Sequence, residues 1–140
     1  MSAAIIVALA CTVALLATTA YFILGSIPLL ILKHDTPLDA RFVRGFFNIY
    51  YNAAFVTASL TALSFGAAGR FGIAAGAAAL ALLARLLRRQ VIPKMDALGA
   101  RMASDYERAI PGFRRTHVTA ILINVAQLVA IVWTLIALGR

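Results

Sequence analysis

Two short polar series interrupt a chain that is otherwise rich in hydrocarbon, and they are where chemistry could occur. Arg44, Asn48 and Asn52 recur at intervals of four, while His117 and Asn124 stand seven apart with Gln127 close behind. On a helix such intervals put side chains on one face, so each series predicts a polar ridge. His117 can exchange a proton near neutral pH, and Arg44 can stabilise oxyanion charge or orient an acidic group. If the two ridges face each other, His117 and Arg44 form a catalytic pair, and Asn48, Asn52, Arg85, Asn124 and Gln127 line a ligand pocket. The competing reading makes the amides interhelical hydrogen-bond partners, each worth about 0.6 to 2 kcal/mol, with the arginines holding lipid headgroups. A third reading has His34 and His117 ligating a metal or haem. The chain contains no CxxCH, HExxH or further clustered ligand, so no metal site is assigned and no cofactor is named. The single Cys11 rules out an internal disulfide or a CxxC site.

The elements that must position these residues are long apolar runs. Crossing a hydrocarbon core takes about 20 apolar residues. The runs predict an all-α protein, a four-transmembrane-helix bundle in a single integral membrane domain over residues 1–140, with spans at about 3–32, 45–68, 71–92 and 116–138. Met1 to Ala10 carries no basic residue and its apolar run continues well beyond a signal-peptide core, so it reads as a retained first helix. Pro28 predicts a kink within that span. Thr36, Pro37 and Asp39 supply a helix start, and Gly66 to Gly69 a helix end. Gly72 and Gly76 form a GxxxG pair on the third span, suited to close helix packing. Pro93 predicts a break after which Met95, Leu98, Met102, Tyr106 and Ala109 share one side of a short cytoplasmic amphipathic helix between spans 3 and 4, ended by Pro111 and Gly112.

Composition and charge agree with a membrane setting. The chain has 140 residues, 63% of them hydrophobic and 13% charged, too apolar for a soluble domain. Eleven of the thirteen Lys and Arg residues lie in Lys33 to Arg44 and Arg85 to Arg115; only Arg70 and Arg140 lie elsewhere. With four crossings, the positive-inside rule puts both basic stretches in the cytoplasm and both termini outside, in a bacterial inner membrane. The net charge of +8 then points to anionic phospholipids as partners and not to nucleic acid, each basic residue gaining about 1 kcal/mol near such lipid. Any pocket should open toward the cytoplasmic leaflet.

The segments VIPKMDAL around Pro93 and FRRTHVTAILINVAQL over Phe113 to Leu128 carry a family likeness. In them the chain resembles the small bacterial four-helix membrane proteins of the anthrone oxygenase-like family and a neighbouring family of unknown function. The resemblance implies a compact four-helix bundle, oxidation of polycyclic aromatic substrates in some members, and His117 and Asn124 as the polar pair of the fourth helix. Asp96 occupies a position that often holds Asn. Three function classes follow: an oxidoreductase or oxygenase-like protein acting on a lipophilic aromatic or quinone-like molecule, a non-catalytic subunit packing in a larger membrane protein complex through the Ala and Gly surface of helix 3, and a transporter or channel. A chain this short, with no acidic residue inside a span, offers little for ion coupling.

Overall fold

A computed structural model describes residues 3–31 and 36–138. It consists of four helices: α1 (Ala3–Ile31), α2 (Pro37–Ala67), α3 (Phe71–Arg101) and α4 (Tyr106–Leu138). His34, and with it the proposed metal or haem ligation, lies outside the described residues, as does the last residue of the first predicted span.

The helix ends follow local chemistry. Thr36 and Asp39 form a reciprocal capping box at the start of α2, the Thr36 hydroxyl accepting from the Asp39 amide at 3.2 Å and the Asp39 carboxylate from the Thr36 amide at 3.3 Å, with Pro37 in the first turn. At the far end Gly69 has φ 73°, the left-handed conformation that glycine tolerates. The Arg70 amide donates to Phe65 O and the Gly69 amide to Gly66 O, the paired bonds of a Schellman ending. Two tight turns, over residues 68–70 and 102–105, join α2 to α3 and α3 to α4. Connections this short make the joined helices antiparallel neighbours. The four helices close a ring in the order α1, α2, α3, α4, with α1 against α4.

Two expectations are corrected. Pro93 and Pro111 lie inside α3 and α4 and do not break them. The short amphipathic helix is therefore no separate element: Met95 and Leu98 belong to the end of α3, Met102 to the turn, and Tyr106 and Ala109 to the start of α4. Both prolines are exposed on the outer surface, while Val91, Ile92 and Met95 around one and Ala109 and Phe113 around the other are buried. A proline costs a helix about 3 kcal/mol, and burial of those neighbours between flanking helices offsets it.

α1, α3 and α4 are each long and apolar enough to cross a membrane. α2 has 31 residues but a lower apolar content, because it carries Asn48, Asn52, a pair of tyrosines and several Ser and Thr. Large apolar side chains also cover the outside, including Tyr21, Leu24, Leu63, Leu122, Val129 and Trp133. A soluble surface does not carry such a belt, and the chain reads as a membrane protein. Within the apolar helices, Thr12, Thr18 and Thr19 return their hydroxyl hydrogens to carbonyls four residues back, as polar groups surrounded by hydrocarbon must. The core divides into a large aromatic cluster in the half bearing the basic residues and a small one, Leu15, Ala58, Ala81 and Ile131, in the other half.

Candidate functional site: a buried polar and aromatic cluster

The two predicted ridges do not meet. α2 and α4 stand on opposite corners of the ring, and the α2 face that reaches α4 carries Phe47, Tyr50, Tyr51 and Ala54, all buried. At about 100° per residue the series Arg44, Asn48, Asn52 is turned away from that face, toward α3 and the outside.

Along the α2/α3 seam, Arg44 forms a two-pronged ion pair with Asp96, Nε to Oδ1 at 2.9 Å and Nη2 to Oδ2 at 3.0 Å. One turn on, the Asn48 side-chain oxygen accepts from Arg88 Nε at 2.9 Å. The Arg85 guanidinium lies over the Phe55 ring, 5.4 Å from its centroid, a cation–π contact. Asn52 is exposed. The pairing follows from antiparallel packing, which sets the first turns of α2 against the last turns of α3. Arg44 also borders a cavity of about 270 Å³ with Arg41, Asp96 and Gly99, and His117 is not among its lining residues.

The α4 residues turn inward. His117 is 3% exposed, Asn124 0% and Gln127 8%. The Tyr50 hydroxyl donates to Asn124 Oδ1 at 2.6 Å, with Gln127 Oε1 at 3.5 Å. Asn124 Nδ2 donates to Ala120 O at 2.7 Å, so both ends of the amide are engaged. Aromatic rings frame this link. Phe22 stacks on Tyr50 with centroids 3.9 Å apart and meets Phe47 edge-on at 4.8 Å, and His117 meets Phe47 edge-on at 5.0 Å. The Tyr51 hydroxyl and Gln127 Nε2 are buried without a hydrogen-bond partner. An orphan of this kind costs about 1 to 3 kcal/mol, which stability alone does not favour.

Tyr50 has a second face. With Tyr21, Phe22, Phe46, Ile49 and Ala53 it lines a groove of about 360 Å³ between α1 and α2. The groove is thus walled by aromatic rings, and one of those rings carries the hydroxyl that reaches Asn124. Gly25 makes this packing possible, since a Cβ there would come within 2.7 Å of Phe46 Cζ.

Asn124 and Gln127 are therefore brought together at the Tyr50 hydroxyl, with His117 beyond the Phe22 and Phe47 rings, whereas Arg44, Asn48 and Arg85 form a separate seam. Tyr50, Phe22 and Phe47 are the members that the polar spacing did not reveal. An available signal was the run Phe46, Phe47, Tyr50, Tyr51, four aromatic residues within six positions of the least apolar helix. Among the described residues, no group of three or more His, Cys, Asp or Glu is placed to hold a metal ion. No protein-family model, curated protein or solved structure matches this chain.

Proposed function

We propose that this protein binds a lipophilic aromatic or quinone-like molecule in the groove between α1 and α2, with Tyr50, its hydroxyl held from behind by Asn124, as the polar member of the wall, in the manner of an oxidoreductase or oxygenase-like membrane protein. The observation that carries the reading is the double role of Tyr50, a wall of the groove and donor to a fully buried amide. Polar groups at this depth in an apolar bundle are functional candidates by default. Flat rings suit the groove because Phe22, Phe46 and Tyr50 already stack there, with centroids 5.4 and 3.9 Å apart. His117 packs on Phe47 behind this wall and does not line the groove, so its part as candidate general base requires the Phe47 ring to move aside. Arg44, held by Asp96, has a smaller part than its spacing suggested. The resemblance to anthrone oxygenase-like proteins favours the same class of molecule.

The test begins with protein purified in mild detergent. Mass spectrometry and absorption should show a ring-bearing lipophile, or saturable binding of an added naphthoquinone, and Ala53→Trp, which fills the groove, should abolish it while helicity is retained. Wild-type protein that neither retains nor binds such a molecule defeats the proposal. If binding persists but His117→Ala turns over candidate substrates at the wild-type rate, the catalytic part fails alone.

In the proposed setting all four helices cross the membrane. α2, at roughly 46 Å for its 31 residues, is long enough and packs between two helices that cross. The basic end faces the cytoplasm of a bacterial inner membrane, both ends of the chain lie on the other side, and Lys94 and Arg115 at the α3/α4 groove meet anionic phospholipid. Cysteines placed at Ala68 and Ala103 in a Cys11→Ser background give the readout. An impermeant thiol reagent added to intact cells should label the first and spare the second, and the reverse pattern would invert the topology.

A second reading, an accessory subunit in a larger membrane complex, draws on α3. Gly72, Ala75, Gly76 and Ala79 are exposed, so the GxxxG pair is not spent inside the bundle. A strictly monomeric protein with no partner recovered from native membranes would count against it.

A further inference from the structure

The half of the bundle away from the basic residues contains a cavity of about 290 Å³ to which all four helices contribute. It begins one turn beyond Gln127, at Ala130 and Ile131, and is separate from the aromatic groove. Three hydroxyls, those of Thr12, Thr61 and Thr134, line it. Each has already given its hydrogen to its own helix: Thr12 to Ala8 O at 2.7 Å, Thr61 to Thr57 O at 2.9 Å and Thr134 to Ala130 O at 2.8 Å. A hydroxyl has one hydrogen to donate and two lone pairs that accept. What these three have left is acceptance only. No other lining residue has a polar side chain, so the cavity offers acceptors and no side-chain donor. Its exposed wall is made of Gly72, Gly76 and Ala130, which places the opening between α3 and α4 on the apolar outside of the bundle.

We propose that this cavity is a second binding site, for an aliphatic lipid alcohol that enters sideways from the bilayer between α3 and α4 and donates its one hydroxyl hydrogen to an oxygen of the Thr12, Thr61 and Thr134 set. The chemistry selects the occupant. A molecule reaching the opening comes from hydrocarbon, the walls are aliphatic apart from Phe65, and only a donor answers three acceptors. A quinone, which accepts but does not donate, is the wrong complement here. The site rests on the membrane setting given above, and not on the ring-binding groove.

The test uses the full chain in phosphatidylcholine nanodiscs doped with equal amounts of dodecanol and chlorododecane, which share a chain and differ in the donor. After affinity capture, the compounds retained by the protein are quantified against empty discs. One well-placed hydrogen bond contributes up to about 1.5 kcal/mol, so dodecanol should be retained about tenfold over its partner. The triple variant Thr12→Val, Thr61→Val, Thr134→Val keeps the cavity shape and should bring the ratio to one. Gly76→Leu should lose both compounds, and it should fold, because a Cβ at Gly76 meets nothing within 4 Å. Gly72→Leu, equally unobstructed, is the second plug. Equal retention of the two compounds by the wild type, the result for a site that takes bilayer acyl chains only, overturns the proposal. So does a preference that survives the triple variant, or retention unaffected by either plug. None of these outcomes touches naphthoquinone binding, so the two sites can fail separately.

Discussion

Removing the Tyr50 hydroxyl tests whether the buried cluster is a bonded unit. Tyr50→Phe keeps the ring and its 3.9 Å stack on Phe22 and removes the hydroxyl, whose short bond to Asn124 is the main loss beside its weaker contacts to Gln127 and Thr19. It leaves the Asn124 oxygen, in a side chain with 0% exposure, with no hydroxyl to accept from. The lost bond and the stranded carbonyl together predict a destabilisation of about 1 to 2 kcal/mol. Asn124→Leu removes the other partner, but its effect is cushioned because Gln127 Oε1 already lies 3.5 Å from the hydroxyl. The double variant should cost less than the sum of the singles, with a coupling between about 0.6 and 1.7 kcal/mol, the average and the largest values for hydrogen bonds inside a membrane bundle. Reversible unfolding in mixed micelles of mild detergent and dodecyl sulfate, followed by circular dichroism, gives the four free energies of the cycle. Additive single effects, with coupling below about 0.3 kcal/mol, would refute the view that Tyr50 and Asn124 form one unit. They would also remove the observation on which the proposed function stands.

Other substitutions probe the frame around the cluster. Gly25→Ala should destabilise by about 1 to 3 kcal/mol, because its methyl group must displace the Phe46 ring from its place beside Phe22; an unchanged melting temperature would show that the ring gives way freely. Gly69→Ala forces a side chain into the left-handed turn that ends α2 and should cost about 1 kcal/mol or more by the same unfolding assay. Asp96→Asn should cost less than about 1 kcal/mol despite the good geometry of its bond to Arg44, since the pair is partly exposed. A loss of several kcal/mol that added salt does not change would show the seam to be far drier than its surface indicates.

Local chemistry was legible where the cause was local. Thr36, Pro37 and Asp39 mark the start of α2, and Gly69 its end, because capping and left-handed turns depend on residues within a few positions. Pro93 and Pro111 misled for the complementary reason. Their cost is local, but the burial that offsets it comes from other helices. Polar spacing identified the α4 members His117, Asn124 and Gln127, and it identified Arg44 and Asn48 as a ridge. It could not say which way the α2 ridge turns, because a period of four gives a face but no neighbour.

The sequence by itself determined that this is an all-helical chain, that its helices are apolar enough for a membrane, and that its basic residues gather at one end. Those properties are sums over residues and need no knowledge of contacts. Tertiary structure alone decided the rest. It set α2 diagonally across from α4, put Asp96 on Arg44, aimed Tyr50 at Asn124, and left an acceptor-lined cavity in the half where small residues keep α3 and α4 from sealing. Each outcome depends on the rotation of one helix about its axis relative to another, and that rotation is fixed by how side chains from four separate stretches fill a common interior.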